Sequence, residues 1–137
     1  MKTVSFILAA VLGLATVGPA AADPAEVRKT ILAQMEALRD GDAAEAYSYA
    51  APAIQRLFPT PQRFMTMVRR GYAPVAEARS PVFLRHSATE EASFAQEVMF
   101  SDADGRSWMA LYTLAQQPDG SWRITGCYLK KSTGRDA

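Results

Sequence analysis

The stretch SWMALYTLAQQPDGSWRITGCYLK, residues 107–130, decides the fold. Its first ten residues set Trp108, Ala110, Tyr112 and Leu114 against Met109, Leu111, Thr113 and Ala115, two largely apolar sets at the two-residue period of a strand. Pro118-Asp119-Gly120 then supplies the proline, the side-chain acceptor and the glycine that a tight turn needs. After the turn, Trp122, Ile124, Gly126 and Tyr128 alternate with Arg123, Thr125, Cys127 and Leu129. Two alternating runs joined by a short turn make an antiparallel hairpin.

Working towards the N-terminus, the pattern repeats. Asp102-Ala103-Asp104-Gly105 reads as a turn, and Ser93 to Ser101 as a strand with Phe94, Val98 and Phe100 on one face. Thr89-Glu90-Glu91-Ala92 is polar and turn-like, and Arg79 to Ala88 is the first strand of the meander. Upstream the period changes from two to 3.6. Asp23-Pro24-Ala25-Glu26 is a helix start, with Asp as N-cap, Pro in the first turn and Glu three residues after the cap. Val27, Ile31, Met35 and Leu38 form one apolar stripe, and Gly41 ends the helix. Asp42 to Glu45 opens a second short helix carrying Ala46, Tyr47, Tyr49 and Ala50; Pro52 interrupts it before the apolar turn Ile54, Leu57, Phe58. Thr60-Pro61 begins a third helix with Phe64, Met65 and Val68 inward and Gly71 at its end.

Helices followed by an antiparallel meander predict an α+β fold, with the N-terminal helices packed on one face of a curved sheet. Gly41 to Tyr47 and Asp119 to Ile124 resemble the link into the second helix and the closing hairpin of the nuclear transport factor 2-like (SnoaL-like) superfamily, whose fold is a cone. More closely, Gly41-Asp42-Ala43 with Ala46-Tyr47, Phe64 with Met67-Val68, Gly71-Tyr72-x-Pro74-Val75, and Trp122-Arg123-Ile124-x-Gly126-Cys127-x-Leu129 are similar to an exported bacterial family, domain of unknown function 4864. The resemblance spans roughly residues 25–130 and implies a fold and a location, but no catalytic residue.

The chain starts with an export signal. Lys2 is the charged end, Val4 to Ala15 the apolar run, and Ala20-Ala21-Ala22 the cleavage site. The apolar run is shorter than the roughly 20 residues that span a bilayer. No cysteine follows it to take a lipid. The expected organisation is a signal over 1–22, one domain over 23–131 and a polar, frayed tail over 132–137, in the periplasm or outside the cell. Without Lys2 the 15 basic residues become 14, matching 14 acidic ones. That balance argues against a nucleic-acid partner, and no later stretch is apolar enough to span a membrane.

The chemical inventory is small. With one histidine and one cysteine, no zinc site of His and Cys ligands can be assembled within the chain, and no cofactor motif is present. Asp102 to Gly105 faintly resembles the start of a calcium loop but lacks its later ligands, so it reads better as a turn. Cys127 reads first as a small buried hydrophobe. His86 and Glu97 lie in neighbouring strands; brought together by the hairpin, they would form a general acid–base pair. The plainer reading is a strand histidine near a surface charge. Tyr47, Tyr72, Trp108, Tyr112, Trp122 and Tyr128 are the candidate lining of an aromatic pocket, and the plainer reading of them is core.

Three functions follow. The leading one is non-enzymatic binding of a small apolar molecule or a protein partner. The second is a cofactor-independent isomerase, cyclase or dehydratase using His86, of the kind the superfamily resemblance implies. The third is a homodimer through an outward sheet face carrying Met109, Leu111, Cys127 and Leu129.

Overall fold

The computed structural model describes residues 23–89 and 92–132. The expected export signal, residues 90 and 91 of the expected first strand turn, and the tail beyond Ser132 lie outside the described residues. Helix α1 is Pro24–Arg39, and the Asp23 side chain accepts from Ala25 N at 2.9 Å. Its end is closed by Gly41 at φ +73°, a conformation open to glycine at no steric cost. Gly41 N donates to Leu38 O and Asp42 N to Ala37 O, the two bonds that satisfy carbonyls at a helix end. Asp42 then caps α2, Ala43–Ser48, by accepting from Glu45 N. Helix α3 is Pro52–Leu57, α4 is Pro61–Gly71 with Thr60 as cap, and α5 is the single turn Ala73–Ala76. The sequence reading ended at Gly71 and missed α5, whose only strong signal is Pro74.

Strands β1, Arg79–Thr89, β2, Ser93–Ser101, β3, Ser107–Gln116, and β4, Trp122–Lys131, form one antiparallel sheet in the order β1-β2-β3-β4. The expected α+β class is observed, with the helices on one face of an open four-stranded sheet. Val27, Ile31, Met35 and Leu38 of α1 are all at most 3% exposed and join Phe94, Val98, Phe100, Ala110, Tyr112 and Leu114 in the core. Burial of each large side chain there contributes about 1.5–3 kcal/mol. The link between α2 and α3 fastens the helical layer to the edge of β4. Ile124 N donates to Tyr49 O and Ala51 N to Ile124 O, both at 2.8 Å. Ser132 is not frayed: its N–H donates to Ser107 O at 3.0 Å.

The ladder between β3 and β4 corrects the face assignment of β4. Thr113 pairs with Gly126 and Leu114 with Ile124, so Thr125 is an extra residue in a bulge. Strict alternation would keep Trp122, Ile124, Gly126 and Tyr128 together. The extra residue shifts parity by one, so Trp122 and Ile124 face the helices, and beyond the bulge Cys127 and Leu129 do so instead. Tyr128 therefore points outward and is 68% exposed. Cys127 and Leu129 leave the outward set expected for dimerisation, while Met109 and Leu111 remain in it.

Candidate functional site

A cavity of about 330 Å³ lies between the sheet and helices α3, α4 and α5. Its floor is buried: Leu38, Phe64, Val68 and Val75 from the helices, and Tyr112 and Ile124 from the sheet, are each at most 6% exposed. Its mouth is formed by Ile54, Phe58, Met67 and Tyr72, half-buried, and by Leu57, which is 71% exposed. The spacing of α4 explains the division. Phe64 and Val68 fall on one line four residues apart, facing the sheet, while Met67 sits on the flank. None of the lining residues carries a charge. The polar side chains among them are Gln34, Tyr72, Tyr112 and Cys127.

Their hydrogen bonding differs. Gln34 is buried and its Nε2 already donates to Ala46 O at 3.1 Å. Tyr112 is 1% exposed, and among the described residues its hydroxyl has no partner beyond the weak sulfur of its neighbour Cys127. Burial drives its pKa well above the ordinary tyrosine value, and the neighbouring Cys127 adds to the effect. Tyr112 and Cys127 are direct cross-strand partners, and burial pushes the Cys127 thiol up to about 12. Both groups therefore stay neutral near pH 7. A thiol of this kind is a poor nucleophile.

The structure distributes the six predicted pocket residues over three environments. Tyr72 and Tyr112 line the cavity. Tyr47 lies behind it: the ring packs on Phe64 at 5.7 Å, and the hydroxyl reaches Phe58 O at 2.7 Å and Gln55 O at 3.0 Å. Trp108 and Trp122 face the helices, but at opposite ends of the sheet. In the β3–β4 ladder Trp108 sits opposite Lys131, and Trp122 opposite Gln116 eight residues further along β3. Trp122 packs edge-on to Phe94, and the Trp108 indole donates to Asp102 Oδ2 at 3.0 Å. Tyr128 is on the outer face. Sequence reasoning missed the aliphatic share of the lining, which α3 to α5 supply; the short apolar turns there carried the only signal.

His86 and Glu97 are not brought together. Two residues of β1, Leu84 and Arg85, face one of β2 between Phe83 and His86, so His86 pairs with Gln96. Adjacent residues of a strand point to opposite faces, which puts Glu97 on the other side of the sheet from Gln96. Glu97 instead meets Arg85, Nε to Oε2 at 3.4 Å, and exposed His86 stacks on Phe94 at 5.4 Å. Asp102 spends its carboxylate on its own turn, accepting from the Trp108 indole and from the backbone of Asp104 and Arg106. Among the described residues no three His, Cys, Asp or Glu side chains gather as a metal site.

No curated protein matches the chain. A solved structure from Catenulispora acidiphila is similar to it over 78% of this chain and 89% of that one, at 18% identity and a TM-score of 0.47. The model of the family described as domain of unknown function DUF4864 matches residues 20–137, nearly the whole chain. The chain with this uncharged cavity is therefore a member of the DUF4864 family.

Proposed function

We propose that this is an exported, non-enzymatic protein that holds a small apolar molecule between its helices and its sheet. The observation that carries the reading is the cavity: about 330 Å³, largely apolar, and free of charged lining groups. Its volume and lining fall within the range of small-molecule sites. The export signal supports the location, and the order of elements supports the nuclear transport factor 2-like resemblance. The separation of His86 from Glu97 weighs against the acid–base pair on which the enzymatic alternative leaned.

The test uses the chain exported to a bacterial periplasm and purified without denaturation. Native mass spectrometry is expected to show extra mass that disappears on denaturation, and naphthalene-sized apolar probes to raise the melting temperature. Met67→Trp, which fills the mouth, is expected to abolish both effects while the protein still folds. No bound mass together with no thermal shift across the panel overturns the proposal.

One observation favours a protein partner as a second reading. Val82 and Leu111, with Tyr128 directly opposite Leu111, leave apolar side chains exposed on the sheet face that no helix of the described residues covers. A dimer mass in the same experiment, lost in a Leu111→Lys variant, is the expected result if that face mates with a second copy.

A further inference from the structure

Resting on the proposed binding function, we infer the chemistry of the ligand: an uncharged, mainly apolar molecule whose one buried hydrogen-bond acceptor, a carbonyl or ether oxygen, meets the Tyr112 hydroxyl. Three observations lead there.

The first is charge. No lining residue is ionic, and a carboxylate or ammonium group taken into such a cavity would lose its hydration without gaining a counter-ion. The second is the inventory of donors. Gln34 already holds Ala46 O with one of its two amide protons, Tyr72 is half-buried at the mouth where water competes, and a thiol such as Cys127 is a weak donor. Tyr112 is the deep hydroxyl among the lining residues. Its hydroxyl is shielded from solvent and has nothing stronger than the Cys127 sulfur beside it, a condition that destabilises the empty protein and that an acceptor on the ligand relieves. The third is size. A cavity of 150 Å³ holds one benzene, so one of about 330 Å³ has room for roughly two such rings or a chain of similar bulk. An acid, an amine or a phosphate-bearing ligand fails the first of these.

The experiment compares four probes of one shape by titration calorimetry: naphthalene, 2-acetylnaphthalene, 2-naphthoate and 2-naphthylmethylamine. The expected order is ketone tightest, hydrocarbon next, and the two ions weakest. In Tyr112→Phe the ketone is expected to lose about five-fold in affinity, the worth of one hydrogen bond, while the hydrocarbon changes little. Equal binding of ketone and hydrocarbon overturns the inference and leaves the binding function standing. So does a preference for either ion. A loss of ketone affinity in Tyr72→Phe but not in Tyr112→Phe overturns it too, by moving the donor to the mouth. Binding of none of the four overturns the function itself. Circular dichroism checks that Tyr112→Phe folds; if it does not, the order of the four probes on the unaltered protein still decides.

Discussion

A Cβ added at Gly126 would fall 2.9 Å from Thr113 Oγ1, closer than side chains approach. That oxygen is itself tied to Thr125 Oγ1 at 2.9 Å, across the bulge. Gly126→Ala must push Thr113 aside and break this bond, at a cost of about 1–3 kcal/mol for an overpacked site. The melting temperature of Gly126→Ala is expected to fall, and adding Thr113→Ala is expected to restore much of it; an unchanged melting point would contradict the crowding. At this scale the sequence was partly readable. A lone glycine inside a strand is a sign of a bulge or a close approach, and Gly126 stood in plain view between Thr125 and Cys127. Read as one more member of a regular alternation, it put Tyr128 on the wrong face. The alternation of β3, which has no such interruption, assigned Tyr112 correctly to the face with Leu114.

Helix α3 is the loosest wall of the cavity. It has no side-chain cap and no buried residue, and it is six residues long. Tyr47 and Gln55 hold it: the tyrosine hydroxyl reaches two carbonyls of the α3 segment, and Gln55 Nε2 donates to Tyr47 O at 3.0 Å. Tyr47→Phe is expected to cost about 1 kcal/mol. Amide exchange should speed up from Ile54 to Phe58 and stay unchanged in β2 and β3. Equal acceleration everywhere would mean that α3 is not a separately opening unit. Strand limits and the caps at Asp23, Asp42 and Thr60 were legible because they rest on local chemistry. The cavity was not, since the backs of α3, α4 and α5 meet the sheet through contacts distant in sequence. The irregular pairing of β1 was equally hidden, and it decides that His86 faces Gln96 rather than Glu97.

At the scale of the whole molecule, the response to acid follows from the two turns that close the sheet. Asp102 is held below its ordinary value of 3.8, first by the Trp108 indole and then by the backbone of Arg106 and Asp104. Asp119 is lowered by the side chain and backbone of Ser121. A carboxyl whose native pKa is lowered stabilises the fold fully above its unfolded value and loses that contribution as pH falls through the native one. The melting temperature should therefore drop as the pH falls below about 4. The drop is expected to be smaller in Asp102→Asn, which keeps an oxygen for Trp108, and identical acid limbs would speak against the turn as its source. The α+β class could be read from the order of periodicities alone, whereas the void between the layers depends on how the layers seat. One feature of that seating reaches beyond binding. With its thiol pushed up to about 12 by burial, Cys127 stays a neutral thiol at neutral pH, the poorly nucleophilic form. An unpaired cysteine entering an oxidising compartment, as the leader sequence predicts, is ordinarily open to mixed disulfides and cross-linked aggregates. Here folding itself slows exchange at the sulfur by holding it as a neutral thiol, so unfolded chains are the ones most open to the thiol-oxidising machinery.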